Sequence, residues 1–324
     1  MKKRVGFTYH DAAGRQVRDA GTLARIKSLV IPPAWRDVWI SPHPAGHLQA
    51  TGRDARGRKQ SRYHSHFREV RDEAKYERVI AFAKALPKVR ATVRRHMNSR
   101  GLSRERVLAT VVALLEKTLI RVGNESYARD NSHYGLTTIE DDHVKVKGKH
   151  VTFRYVGKSG VAHEVEIDDP KLAKIVKACQ DLPQQQLFAY LDDQGKQHDV
   201  KSDDVNGYLK EITGEDFTAK DFRTWAGTVL ASRALAEFEK FDSATQAKKN
   251  VVAAIESVAK KLGNTRAVCK KCYVHPAVLN SYMDGTLANV LRKKAEDELK
   301  DLGKLTAEEA SVVTLLRDQM KGNS

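Results

Sequence analysis

The chain has 324 residues, 41% hydrophobic and 30% charged, enough for one large domain or two ordinary ones with a real core. Its 57 Lys and Arg against 41 Asp and Glu leave a net charge of +16, which favours a polyanionic partner, either nucleic acid or an anionic membrane surface. Three cysteines exclude a disulfide framework, and a basic start with no apolar run behind it excludes a secretory signal.

Short β-type runs come first: RVGFTYH (4–10), DVWI (37–40) and HLQATG (47–52), broken by the turns IPPAW and SPHPAGH. This is the punctuation of a small strand-rich module. From about Phe67 the pattern turns helical and runs to Pro87, where a helix is expected to break or kink. A domain boundary is placed here, giving an N-terminal domain of residues 1–78 and a larger one of 79–324. Residues 51–100 hold 15 Lys and Arg against 5 Asp and Glu. A basic block in a folded, aromatic-containing region reads as a nucleic-acid surface.

Between Arg104 and Ile120, apolar residues at Val107, Leu108, Val111, Val112, Leu115 and Leu119 predict a helix with one wide buried face, stopped at Gly123. Its longest apolar run, VLATVVALL, is too short to span a bilayer, so a cytoplasmic or nucleoid-associated setting is expected. Three β runs follow at 143–147, 150–156 and 161–167, joined by Gly148-Lys149 and Gly157-Lys158-Ser159-Gly160. They predict a three-stranded antiparallel sheet. After Pro170 the remainder reads as helix, with starts at Thr218 and Ser243 and a capping box at Thr306-Ala307-Glu308-Glu309. The expected class is α+β: a small β-rich N-terminal domain plus a larger, mostly α-helical domain containing the sheet.

Several local features invite chemistry. Gly157-Lys158-Ser159-Gly160 lacks the upstream glycine of a phosphate-binding loop and precedes a strand, so a nucleotide reading fails. Lys158 is then either a soluble hairpin tip or a mobile cation delivered to a neighbouring site. Cys269 and Cys272 with His275 offer three ligands at most, whereas a structural zinc site takes four. No βαβ unit supports a redox CxxC, so the cysteines read as structural and no metal is expected. Arg121 follows the long apolar helix, and Arg223 sits early in a later one. Planar guanidinium forks suit the two non-bridging oxygens of a phosphodiester under attack, a Lys or His can protonate the leaving oxygen, and a Tyr can be the nucleophile.

Order along the chain joins these residues. Arg121 in LIRVGNESYARDNSHYGLTTI, Lys158 at the hairpin tip, Lys220 and Arg223 in AKDFRTWAG, Asn264 in KLGNT and Tyr273 in CKKCYVHPAVLNSY follow one another. This series resembles the catalytic series of type IB DNA topoisomerases, in their small poxvirus-like and bacterial branch. GRDARGRKQSRYH (52–64) is similar to that branch's DNA-contacting β-domain motif. The resemblance covers nearly the whole chain.

It implies a monomer that closes as a C-shaped clamp around duplex DNA and relaxes supercoils without ATP, cofactor or obligatory metal. Tyr273 would attack a backbone phosphate to give a 3′-phosphotyrosyl bond and a free 5′-hydroxyl, the broken strand would swivel, and the hydroxyl would reverse the attack. Arg121 and Arg223 would hold the non-bridging oxygens, Lys158 would act as general acid, and Lys220 would assist. Asn264 stands where many members have His, and its amide can still donate one hydrogen bond. The resemblance assigns DNA contacts to Arg56, Arg58, Lys59, Gln60, Tyr63, Asn124 and Tyr127. Ser61 replaces an aromatic of the motif, which removes one contact and weakens sequence selectivity. A tyrosine site-specific recombinase would share the chemistry but would carry His where Lys220 stands. A non-catalytic architectural DNA-binding protein would account for the charge but not for the ordered series.

Overall fold

The computed structural model describes residues 7–55, 57–183, 185–238, 241–293 and 305–322, with the side chains of 68–76, 127, 290, 292–293 and 320–322 outside that description. The chain divides into two compact units, Met1–Glu77 and Arg78–Ser324.

In the first unit, helix α1 (Ala20–Ser28) precedes strands β1 (Arg36–Ile40), β2 (Leu48–Arg53) and β3 (Lys59–Tyr63), which form an antiparallel sheet in the order β1-β2-β3. The strand expected over 4–10 is reduced, among its described residues, to one bridge between His10 and Gln16. Helix α1 was not expected. Its start is set by Asp19, which accepts from the Thr22 amide at 2.7 Å, and a Gly in the first turn hides the helical pattern. Gln49 is buried and organises the turn before β2. Its amide nitrogen donates to the carbonyls of His43, Pro44 and Gly46, and its oxygen accepts from Arg25 at 2.8 Å.

Helix α2 (Ser65–His96) runs through Pro87 without a break. Proline in a helix interior costs about 3 kcal/mol. Phe82, Leu86, Val89 and Val93 flank it on one buried face, and each such side chain returns roughly 1.5–3 kcal/mol on burial. Packing therefore outweighs the proline.

Helix α3 (Arg104–Thr118), capped by Ser103, lies at the centre of the second unit. It is buried all round from Val107 to Leu115, not along one face. Nor does it end at Gly123: Leu119 takes the left-handed conformation at φ 57 and closes the helix. After α4 (Glu125–Asn131) come β4 (Val144–Lys147), β5 (His150–Gly157) and β6 (Val161–Asp168), a three-stranded antiparallel sheet close to the predicted boundaries. Val144 of β4 and Val151 and Phe153 of β5 face the core, while Val156 points to solvent.

Helix α5 (Pro170–Gln180) is followed by a hairpin the sequence reading missed, β7 (Ala189–Leu191) and β8 (Gln197–Asp199). Three-residue strands are too short to show alternation. The turn is made by Asp192, whose Oδ1 accepts from the Gln194 and Lys196 amides. The rest is helical: α6 (Ser202–Thr213), α7 (Ala219–Ala236), α8 (Ala244–Leu262), α9 (Arg266–Cys272), α10 (Pro276–Met283), α11 (Leu287–Lys293) and α12 (Ala307–Gly322). The expected helix starts at Thr218, Ser243 and Thr306 are all present. The helix expected beyond Lys293 lies outside the described residues.

One ionic cluster ties four helices together. Arg90 of α2 meets Glu309 of α12 with two bonds of 2.7 and 2.8 Å and Glu116 of α3 at 2.6 Å. Glu309 also accepts from the Trp225 indole of α7 at 3.2 Å. Burial pushes the Glu309 carboxyl up, but Arg90 and the Thr306 amide more than offset it and hold it below the usual range. Removing one member of such a buried set costs about 3–5 kcal/mol. The last helix is thus joined to the helix that carries Lys220 and Arg223.

Candidate active site

Arg223 lies in the second turn of α7 and is 4% exposed. Its Nη1 donates to the Leu119 carbonyl and its Nη2 to the Leu262 carbonyl at 2.6 Å. The left-handed turn at Leu119, which costs roughly 1–2 kcal/mol, closes α3 on the very residue whose carbonyl meets the guanidinium. Burial pulls the Arg223 pKa below its ordinary value and the Arg121 charge adds to this, while Tyr273 opposes both. Its Nε is buried and has no hydrogen-bond partner among the described residues. Leaving such a donor unsatisfied costs about 1–3 kcal/mol.

The Arg223 guanidinium carbon stands 5.1 Å from the centroid of the Tyr273 ring. Tyr273 closes α9 as its C-cap, with its amide donating to the Cys269 carbonyl at 2.9 Å. Helix α10 begins three residues later, capped by His275 with Pro276 in its first turn. The short link between the helices rests on α7. The Thr228 hydroxyl accepts from the His275 amide at 3.2 Å and shares its one proton between the Thr224 carbonyl at 2.9 Å and the Tyr273 carbonyl at 3.3 Å. An ideal Cβ at Gly227 would lie 2.6 Å from the Tyr273 carbonyl oxygen, so only glycine lets the two segments approach this closely.

Arg121 donates from Nη2 to the Gly263 carbonyl at 3.1 Å and to Asn264 Oδ1 at 2.5 Å. The Asn264 amide nitrogen donates to the Leu262 carbonyl at 3.2 Å. Asn264 therefore stands behind Arg121 and orients it, and is absent from the cavity wall. Lys158 is exposed at the tip of the β5–β6 hairpin, in a turn where Ser159 (φ 69) and Gly160 (φ 74) are both left-handed. Lys220, also exposed, sits in the first turn of α7. That turn is pinned by Arg78, whose Nε and Nη2 grip Asp221 at 2.8 and 2.9 Å.

These groups meet around a cavity of about 250 Å³, whose wall includes Arg121, Lys158, Lys220, Arg223, Tyr273 and Asn124. His133 and Tyr134 also line it. Four cations around one tyrosine, in a partly desolvated cleft, suit a transition state that spreads negative charge over phosphate oxygens. The cysteines take no visible part. Burial pushes the Cys269 thiol up to about 11 and the Cys179 thiol to about 12, so neither is a ready thiolate. Among the described residues no group of three or more His, Cys, Asp or Glu side chains gathers as metal ligands.

The remaining predicted contact residues lie in the first unit, apart from Tyr127, whose side chain is outside the described residues. Arg56 is also outside them. Arg58 is paired with Asp54 at 2.7 Å, and Gln60 donates to the same carboxylate at 3.0 Å. Lys59 and Tyr63 share one face of β3, and Gln60 lies on the other. Tyr63 stacks on Phe67 with ring centroids 5.6 Å apart. Sequence reasoning missed His133, Gly227, Thr228 and His163. The first three carry no local signal, but His163 faces Tyr155 once the hairpin register is known.

A tyrosine beside four cations on this fold suits an enzyme class that works on phosphodiesters. Comparison with known proteins agrees. A profile described as "Eukaryotic DNA topoisomerase I, catalytic core" matches residues 64–302, and "Bacterial DNA topoisomerase IB, N-terminal domain" matches residues 6–54. DNA topoisomerase 1B of Acanthamoeba polyphaga mimivirus is 34% identical over 285 residues, covering 86% of this chain and 85% of the viral protein. DNA topoisomerase I of monkeypox virus is 22% identical over 256 residues, 76% of each chain. The chain belongs to the type IB DNA topoisomerase family, and its activity is that of a DNA topoisomerase rather than a recombinase or an architectural protein. Among the described residues no helix is long and apolar enough to cross a membrane.

Proposed function

We propose that the enzyme relaxes supercoiled duplex DNA by transient cleavage of one strand, with Tyr273 as nucleophile. The Tyr273 oxygen loses its proton and bonds to phosphorus, the P–O5′ bond breaks, and the 5′ oxygen takes a proton from Lys158. Arg223 and Arg121 stabilise the non-bridging oxygens, and Lys220 reinforces them or relays the proton. Asn264 acts through Arg121. The bond energy is kept in the 3′-phosphotyrosyl ester, so the freed strand swivels and the 5′-hydroxyl reverses the attack. Neither ATP nor an obligatory metal takes part, because four protein cations supply the charge a metal would bring.

Residues 1–78 act as a DNA-binding domain through Arg56, Arg58, Lys59, Gln60 and Tyr63, and residues 79–324 as the catalytic domain, with Asn124 and Tyr127 contacting DNA beside the site. The working form is a monomer closed as a clamp on nucleoid DNA. The observation that carries the reading is the placement of the buried Arg223 guanidinium over the Tyr273 ring, with Arg121, Lys158 and Lys220 on the same cavity wall. Relaxation of a supercoiled plasmid in EDTA without ATP, followed by denaturant trapping of the covalent adduct, tests it. Tyr273→Phe abolishes both relaxation and adduct; an adduct that survives in this variant would place the nucleophile elsewhere.

A further inference from the structure

His163 has no part in the chemistry above, yet its ring touches the backbone behind three of the groups that do. It faces Tyr155 across the β5–β6 hairpin, and the two rings stack with centroids 5.1 Å apart and planes 18° apart. One edge of the imidazole lies against Gly157, where an ideal Cβ would fall 2.6 Å from Cδ2 and 2.8 Å from Nε2. The other edge lies against Gly263, where an ideal Cβ would overlap Cε1 and sit 3.3 Å from Nδ1. Any larger residue at either position would expel the ring. Gly157 immediately precedes Lys158. Gly263 gives its carbonyl to Arg121 and immediately precedes Asn264. Nε2 is buried and makes no hydrogen bond among the described residues, so the ring is held by shape.

Burial lowers the His163 pKa below its ordinary value, and the charges of Arg121 and Arg223 lower it further. Tyr155 is pushed up to about 12 by burial, which outweighs the pull of the same two arginines. Both rings are therefore uncharged at neutral pH. A neutral, rigid, flat group between two glycines is suited to fixing a distance rather than to transferring a proton.

We infer that His163 is a positioning residue, a wedge that sets the Lys158 hairpin tip at a fixed distance from the Gly263–Asn264 turn and hence from Arg121. The Tyr134 amide, donating to the Val156 carbonyl at 2.8 Å, ties β5 two residues before the exposed lysine, but nothing described beyond that point other than the β5–β6 pairing and the His163 ring holds the tip. The wedge anchors the lysine's backbone without restraining the ammonium. The inference rests on Lys158 acting as the general acid.

The test compares two DNA substrates in single-turnover cleavage, one with the normal 5′ oxygen and one with sulfur bridging phosphorus to the 5′ carbon. When the P–S bond breaks, the thiolate leaves with its electron pair and needs no proton, so a misplaced acid no longer matters. His163→Ala is expected to slow cleavage of the oxygen substrate by about tenfold or more, within the range set by general-acid catalysis. DNA binding should be unchanged, and the sulfur substrate should be cleaved at nearly the parent rate. Lys158→Ala should show the same pattern, and His163→Phe, which keeps a flat ring, should recover most of the oxygen-substrate rate. If sulfur restores Lys158→Ala but not His163→Ala, the wedge role is wrong while the acid role stands. If sulfur does not restore Lys158→Ala, the acid reading fails and takes the inference with it. Unaltered oxygen-substrate cleavage in His163→Ala also overturns it. Should His163→Ala not fold, His163→Gln, which loses the ring but keeps a polar side chain, is read on the same two substrates against the same outcomes.

Discussion

Arg223 and Lys158 share one cavity wall and are held in opposite ways. Arg223 is buried and gives both terminal nitrogens to backbone carbonyls, and Arg121 is likewise tied to Gly263 and Asn264. Lys158 and Lys220 are exposed, and among the described residues neither ammonium forms an ion pair. The difference fits the division of labour proposed for them. A group that stabilises developing charge works best when its position is fixed before the reaction, so that nothing reorganises in the transition state. A proton donor has to bring its ammonium to the oxygen that leaves, and it keeps the freedom to do so. Arginine, which does not lose its proton in proteins, suits the first duty; lysine suits the second.

The largest expected effect breaks this comparison directly. Lys158→Arg keeps the positive charge and removes the transferable proton. If Lys158 is the acid, cleavage of an oxygen-ester substrate falls by about 10²–10⁴-fold with little change in DNA binding. If the hairpin supplies only charge, the variant stays near the parent rate. Arg223→Ala comes next. Removing one preorganised donor from such a site costs about 10²–10³-fold in rate, and binding to DNA, measured on uncleavable duplex, should hold. Its melting temperature should also drop, because the carbonyls of Leu119 and Leu262 lose their partner. A variant that loses DNA binding first and cleavage only in proportion would mark Arg223 as an ordinary phosphate contact.

Much of the arrangement was legible in the sequence because it is written locally. The β5–β6 hairpin announces itself by alternating residues and a Gly-Lys-Ser-Gly turn, which also places Lys158 at the tip. Thr218, Ser243 and Thr306 start helices by side-chain chemistry that acts over three residues. What failed was decided at a distance. Pro87 sits inside a helix because the core it packs on outweighs its backbone cost. Leu119, not Gly123, closes α3 because the turn delivers a carbonyl to an arginine 104 residues away. Not legible either was the Arg121–Asn264 contact, which stands beside the expected role of Asn264 as a donor to phosphate. Its place behind Arg121 depends on how α8 ends, and no spacing along the chain reveals that.

Asn264→Ala sharpens the comparison at the next level, since Asn264 is what makes one of the fixed cations fixed. Arg121 keeps its bond to the Gly263 carbonyl and loses the one to Oδ1. A charge-assisted bond of this kind is worth about 1.5 kcal/mol, close to a tenfold change in rate. The decisive measurement is the double variant. If Asn264 acts only through Arg121, the substitution adds nothing to Arg121→Ala in single-turnover cleavage. If its amide reaches the phosphate independently, the two losses multiply.

The smallest effect is expected in the first unit, where Arg58, the described arginine among the expected contact residues, is paired with a surface carboxylate. Arg58 pairs with Asp54 at 2.7 Å, and the same carboxylate accepts from Gln60. A phosphate contact of Arg58 has to compete with that carboxylate for the guanidinium. Arg58→Ala should therefore lower the slope of log affinity against log salt by about 1 or less, with cleavage of fully bound DNA unchanged. Asp54→Asn should act in the opposite sense, steepening the salt dependence and tightening binding at low salt, because it removes the competing anion and leaves the cation in place. If Asp54→Asn instead weakens binding, the carboxylate is needed to hold Arg58 and Gln60 in the geometry that meets DNA. The first unit would then share the second unit's strategy of fixing its cations in advance, and the contrast between the two would narrow to the lysines alone.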